Sequence, residues 1–250
     1  MSDLRKDNYN IQQYLKEIVQ NSLDIFHELT QWSDKDKKEY SLLLEELKKP
    51  FNKNVETTKS KGDRLENLVS FIIKKSYFFD IYRNVHTGTN EIDEVIMLSN
   101  VGKQALEAYN ISRDLLEIDS DISIGECKNY NSTLDVTYVG KFYSLLVSTD
   151  VSFGMIFTQK GLTGNENEYH DAYGLVKVLR IIEKYKNKRD LTIITFTLED
   201  YEKLKDGVSF FELIKAKKIA LQLSANYDNF LQEYHHDGTN YVKQKIQSMS

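Results

Sequence analysis

Between residues 122 and 158 the chain passes through a short apolar segment, a stretch of helical apolar spacing and a second short apolar segment. Leu134, Val136, Val139, Phe142, Tyr143 and Leu146 give the middle stretch, residues 133–148, the single apolar face of an amphipathic helix. The flanking segments, 122–128 and 152–158, have the length and composition of strands. Two strands joined through one helix of this length pair in parallel, with a right-handed crossover. That unit commits the chain to an α/β architecture with helices covering the sheet. Side chains alternate along a strand, so Ile122, Ile124, Glu126 and Lys128 share one face, and Ser123, Gly125 and Cys127 the other. An acid and an ammonium that continue a buried isoleucine row are costly unless something uses them. A divalent cation together with a phosphate would use both.

The rest of the chain extends this unit. Ile11, Tyr14, Leu15, Ile18, Phe26 and Leu29 predict a helix over 9–31. Ser33 is the expected N-cap of a second helix that carries Leu42, Leu43, Leu44 and Leu47 and ends before Pro50. Together they predict a helical hairpin, or an arm packed on the core or on a second copy. A third helix, 61–75, carries a stripe of Leu65, Leu68, Val69, Ile72 and Ile73. Glu66 falls on the flank of that stripe, beside Ile73. Residues 77–85 and 91–98 read as a hairpin around the turn 86–90. In the second of these strands Asp93 shares a face with Val95 and Met97, and Glu94 with Ile92 and Ile96. Residues 99–120 read as a polar, partly helical insertion; Asp119 and Asp121 are expected to be solvated turn acids. After the glycine-rich turn 159–164 come a helix over 166–185, a strand over 191–197 and helices over 198–205 and from 210 through 227 onward. His235, His236 and Asp237 lie in a polar tail and are read as solvated, not as a metal site.

Composition narrows the function classes. In 250 residues with 40% hydrophobic and 28% charged content there is room for one sizeable core, as in a soluble globular protein. The chain shows no apolar run long enough to span a bilayer and no secretory signal at its start, which predicts a cytoplasmic protein without membrane association. One cysteine excludes an internal disulfide and a Cys-rich zinc site, and Cys127 is expected to be a packing thiol. A net charge of −5 argues against coating duplex DNA by bulk attraction. Local basic surfaces exist all the same: Lys48, Lys49, Lys53, Lys59, Lys61 and Arg64 crowd one segment, and Lys184, Lys186, Lys188 and Arg189 another. Each reads equally as solvated helix ends or as phosphate contacts.

Four residues form a consistent constellation: Glu66 on a helix flank, Asp93 in a hairpin strand, and Glu126 and Lys128 at the end of the next strand. Carboxylates converging from adjacent strands suit Mg2+, which takes oxygen ligands and keeps several waters for a substrate phosphate. Such a metal would activate a bound water and polarise the scissile phosphoryl group. Lys128 would orient or deprotonate that water and offset charge on the pentacovalent phosphorus. Glu66 would position a metal water or help bind an ion.

Four motifs come in the order found in a known family: Gly62-Asp-Arg-Leu-Glu66, Gly88-Thr-Asn-Glu-Ile-Asp93, Gly125-Glu-Cys-Lys-Asn129 and Phe157-Thr-Gln-Lys-Gly-Leu-Thr163. Over roughly residues 61–205 the chain resembles Mrr-type restriction endonucleases, of the PD-(D/E)xK nuclease superfamily. The resemblance implies a restriction-endonuclease-like mixed central sheet flanked by helices, with Asp93, Glu126 and Lys128 as the catalytic core and Glu66 as the family's helix acid. Asp93, Glu126 and Glu66 are then the candidate metal ligands, for Mg2+ with Mn2+ as a substitute. Lys59, Lys61, Arg64, Gln159 and Lys160 are candidate nucleic-acid contacts. The chain departs from the family in having Ile92 where a proline precedes the metal aspartate, and in the sequence separation of 33 from Asp93 to Glu126.

The resemblance divides the chain into an N-terminal helical region, 1–59, a catalytic domain, 60–206, and a C-terminal helical extension, 207–250. It implies a Mg2+-dependent endonuclease acting on DNA, in restriction or defence, and a homodimer where the substrate is duplex. Three alternatives stand beside it: a structure-specific repair or RNA nuclease, a non-catalytic nucleic-acid-binding subunit of the same fold, and a helical interaction protein in which Glu126 and Lys128 are an ordinary strand-end ion pair.

Overall fold

The structure is a computed structural model that describes residues 3–52, 54, 56–88, 91–165 and 168–231. The His235, His236 and Asp237 tail and Lys53 lie outside the described residues, as do Thr89 and Asn90 of the hairpin turn. Helices α1 (Asp3–Thr30), α2 (Asp34–Lys48) and α3 (Thr58–Lys75) lead into β1 (Phe79–His86) and β2 (Glu91–Leu98). Then come α4 (Asn100–Ala108), a 3-10 turn (Arg113–Leu116) and β3 (Ile122–Lys128). The crossover α5 (Val136–Ser148) leads to β4 (Phe153–Thr158), and α6 (Asp171–Ile182) to β5 (Thr192–Phe196). Helices α7 (Leu198–Lys205) and α8 (Phe210–Leu223) follow. Ser33 caps α2 through a reciprocal capping box with Asp36, Thr57 caps α3 and Asp135 caps α5, each satisfying backbone N–H groups that a helix start leaves free.

Among the described residues one sheet of five strands runs in the order β1-β2-β3-β4-β5. β1, β2 and β3 pair antiparallel, and β3, β4 and β5 parallel, so the sheet is mixed and the β3–α5–β4 crossover is the parallel unit the sequence requires. The chain is α/β, with helices on both faces of the sheet.

The two faces bury different sets. Ile96, Met155, Phe157, Ile194 and Phe196 meet Leu65, Leu68, Val69 and Ile72 of α3 in the larger core. Phe26 of α1, Tyr40, Leu44 and Leu47 of α2, and Phe210, Phe211, Leu213 and Ile214 of α8 belong to that same core. The Tyr40 hydroxyl, fully buried, donates to the Tyr201 carbonyl at 2.8 Å and ties α2 to α7. Helices on either side of residues 60–206 are thus built into the core of that segment. On the other face Ile124, Ile156 and Ile193 pack with Val139, Phe142 and Leu146 of α5 and Val176 of α6. The segment read as a polar insertion contributes Ile111, Leu116 and Ile118 to the larger core. No helix among the described residues is long and apolar enough to cross a membrane.

Candidate active site

The ladder between β2 and β3 starts at Met97 opposite Ile122 and ends at Glu94 opposite Gly125. One residue further along lie Asp93 and Glu126, at the point where the strands stop pairing. There the Asp93 side chain takes over from the ladder: its Oδ2 accepts the Cys127 backbone N–H at 3.0 Å. Val95 lies opposite Ile124, so by alternation Asp93 shares its face with Glu126 and Lys128. β3 itself stays paired on its other edge, with Glu126 opposite Ile156 and Lys128 opposite Thr158 in β4. A rigid strand therefore presents Glu126 and Lys128, and the parting of its neighbour admits Asp93.

The Lys128 Nζ lies 2.8 Å from Asp93 Oδ2 and 2.8 Å from Glu126 Oε1. Twice 2.8 Å, or 5.6 Å, is therefore the upper bound on the separation of those two oxygens. All three side chains are a little over a fifth exposed. Burial and the neighbouring Asp93 raise the affinity of Glu126 for a proton, against the pull of Lys128. Burial alone would lower the Lys128 ammonium, but Glu126 and Asp93 outweigh it and hold its pKa above the ordinary lysine value. The site is thus two acids crowded around one position, with a cation between them.

That arrangement fits Mg2+ on the chemistry of its donors: hard oxygens, two converging carboxylates and an open side for water or phosphate. Asp93 and Glu126 are the residues that would hold it. Glu66 stands apart. Its carboxylate is engaged by the Arg83 guanidinium, which also donates to Asn67 Oδ1 at 3.0 Å. Helix α3 lies on the sheet face that bears Gly125 and Cys127, whereas Asp93, Glu126 and Lys128 point to the other. Among the described residues no three or more Asp, Glu, His or Cys side chains are grouped closely enough to hold a metal ion. The structure does not bring Glu66 into the Asp93–Glu126 pair as a third ligand.

A second acidic position, Glu94, sits behind the first and was not singled out by the sequence. Its side chain is fully buried under the sheet, with Oε1 3.8 Å from Arg83 Nε and 3.9 Å from the Cys127 Sγ. Among the described residues its Oε2 has no hydrogen-bond partner. Burial raises its pKa to about 8; Arg83 opposes the shift, and Glu66 and Asp93 add to it. Its sequence signal was a charge in the otherwise apolar row of Ile92 and Ile96. Glu94 also explains the glycine before Glu126. A Cβ on Gly125 would lie 3.0 Å from the Glu94 Cβ and 3.1 Å from the Phe157 ring. Cys127 packs beside them as a half-buried thiol, its pKa raised by burial and by the acids Glu94, Asp93 and Glu66.

The candidate nucleic-acid contacts divide. Lys59, in the first turn of α3, and Lys160, just after β4, are exposed. Lys61 reaches Asn131 Oδ1 at 2.6 Å and lies over the Phe51 ring. Arg64 is spent within the fold, on Glu56 and, at 3.0 Å, on the Lys49 carbonyl. Gln159 is also turned inward: its Nε2 donates to Asn129 Oδ1 at 2.6 Å and to the Leu47 carbonyl at 3.3 Å. Asp121, read as a solvated turn acid, is ion-paired at 2.6 Å with both Lys103 and Arg113. Comparison with known proteins finds no matching family model, no matching curated protein and no matching solved structure.

Proposed function

We propose that this chain is a Mg2+-dependent endonuclease with a restriction-endonuclease-like fold that hydrolyses phosphodiester bonds of DNA, with Mn2+ able to replace Mg2+. One observation carries the reading: Asp93 and Glu126, brought together where β2 parts from β3, share a single cationic partner. An ordinary strand-end ion pair would need one acid. Here a second acid arrives from the neighbouring strand, at the cost of bringing two like charges together in a partly buried place.

Asp93 and Glu126 would hold the cation, which when bound would supply Lewis-acid polarisation of the phosphoryl group and a more acidic water. Lys128 remains an ammonium at neutral pH, because its two acidic neighbours favour the charged form. Its part is that of a donor and a positive charge: it orients the attacking water and stabilises charge that builds on the phosphate oxygens. The carboxyl ends of β3 and β4 carry the exposed Lys160, and Asn129 ties the first turn of α3, with Lys59 and Lys61, to the same edge. Those lysines supply phosphate contacts beside the reacting group. Cutting both strands of a duplex requires two such sites, hence a homodimer on duplex substrate. Restriction or defence against foreign DNA is the role that the resemblance to Mrr-type restriction endonucleases implies.

The test is cleavage of plasmid, single-stranded DNA and RNA in Mg2+ or Mn2+ by the native chain and by Lys128→Ala. The native chain is expected to cut duplex DNA, and the variant to lose at least about 100-fold in rate. Equal cutting by the variant removes the mechanism. Preference for RNA would reassign the substrate, and binding without cutting would leave a non-catalytic subunit.

A further inference from the structure

Immediately after Lys128 the chain leaves the sheet through Asn129, a buried residue whose side chain is hydrogen-bonded at both its polar ends. Its Nδ2 donates at 2.6 Å to the Lys61 carbonyl in the first turn of α3. Its Oδ1 accepts at 2.6 Å from Gln159 Nε2, in the turn after β4. Gln159 in turn donates to the Leu47 carbonyl at the end of α2, and the Lys61 ammonium returns to Asn131 at 2.6 Å. One amide thus joins the ends of β3, β4 and α2 to the start of α3. The β3–β4 ladder ends at Lys128 opposite Thr158, so Asn129 is the first residue that the ladder does not hold.

We infer that Asn129, clasped by Gln159 and the Lys61 carbonyl, is a positioning residue that fixes the backbone of Lys128 and so the place of its ammonium in the site. This rests on the nuclease reading above. In the structure Lys128 is also held directly by Asp93 and Glu126. Those are the oxygens that a divalent cation would engage. Once they are engaged, the ammonium keeps its place through the strand end that carries it, and the clasp is what fixes that end. A displacement of the order of 1 Å there would lower turnover by up to about 100-fold and leave substrate affinity unaffected.

Two measurements test this. Cleavage kinetics compare the native chain, Asn129→Ala, Gln159→Ala, Lys128→Ala and the double variant Lys128→Ala/Asn129→Ala. Asn129→Ala is expected to lower kcat about 10- to 100-fold at unchanged KM, Gln159→Ala to do the same to a smaller degree, and the double variant to be no slower than Lys128→Ala. A further loss in the double variant equal to that of Asn129→Ala alone, or a change confined to KM, overturns the proposal. Amide hydrogen exchange provides a readout independent of cleavage. Asn129→Ala should speed exchange of the Cys127 N–H, which donates to Asp93, at least about tenfold while the β4–β5 ladder keeps its protection. Unchanged Cys127 protection overturns the clasp. A native chain that cuts nothing overturns the nuclease reading, and the exchange result then judges the clasp by itself.

Discussion

Removing the ammonium while keeping its apolar stem, in Lys128→Met, isolates the charge logic of the site. In the metal-free protein the substitution leaves Asp93 and Glu126 facing each other without their shared partner. Breaking a fully buried pair costs about 3–5 kcal/mol and an exposed one at most about 1. These side chains are about a fifth exposed, which puts the cost at roughly 2–3 kcal/mol. For a chain of this size that is a melting temperature lower by roughly 4–12 °C. Burial and Asp93 already favour the protonated form of Glu126, so the cost should shrink as the pH falls and that carboxyl takes a proton. A divalent cation reverses the loss: at about 100 times its Kd it contributes roughly 2.7 kcal/mol. In the native chain the cation must share the two oxygens with Lys128, whereas in the variant it has them alone. Differential scanning calorimetry in chelator and in saturating Mg2+ should therefore show a larger metal-dependent rise in Tm for Lys128→Met than for the native chain. A variant as stable as the native chain in chelator, or one whose Tm rises no more with Mg2+, would refute the reasoning.

Two further predictions concern buried charges. Glu94 has a folded-state pKa of about 8 against an ordinary 4.5, with burial the leading cause. Between these values the folded state keeps a proton that the unfolded state has lost, so stability falls as pH rises across that window and stays reduced above it. Denaturant unfolding from pH 5 to pH 9 should show Glu94→Gln abolishing a fall of order a few kcal/mol and surpassing the native chain above pH 8; parallel pH profiles would contradict this. In the second case, Lys217 Nζ lies 3.0 Å from Asp200 Oδ1 and 3.8 Å from the Tyr227 ring centre, with Asp200 fully buried. Asp200→Ala should cost about 3–5 kcal/mol by leaving that ammonium unpaired, and adding Lys217→Met should recover much of the loss. A cost below about 1 kcal/mol, read from denaturant midpoints, would contradict the pairing.

What was legible in the sequence followed from short-range chemistry. β2 and α7 have the bounds that periodicity predicts, and Ser33 caps its helix as its position suggests. β3 runs from Ile122 to Lys128 as read, because alternation and the polar residues after it mark both ends. Periodicity predicts a late start for α3, because Thr57 caps the helix at its side chain and the apolar stripe begins only at Leu65. For α5 periodicity predicts too early a start, for the converse reason. Leu134 continues the apolar spacing, yet it bridges to Leu162 outside the helix, which begins only after the Asp135 cap. Ile111, Leu116 and Ile118 were read as part of a polar insertion because their spacing has no period, and only the tertiary fold brings them to the core. In the site, alternation groups Asp93 with Val95 and Met97 and Glu126 with Lys128, and only the β2–β3 register sets the two groups on one face. The pairing of Arg83 with Glu66 and Glu94, and the Asn129 clasp, join residues far apart in the chain through single contacts that no local pattern encodes.

The most direct measurement of the central claim is plasmid cleavage by the native chain in Mg2+, with Asp93→Asn and a chelated sample alongside. Asp93 enters from β2 and pairs with Lys128, so its replacement asks whether the same carboxylate also serves a divalent cation. Nicking or linearisation by the native chain, lost both in chelator and in Asp93→Asn, is the predicted result. Cutting that survives either treatment would contradict the account, as would a native chain that leaves the plasmid intact in both Mg2+ and Mn2+.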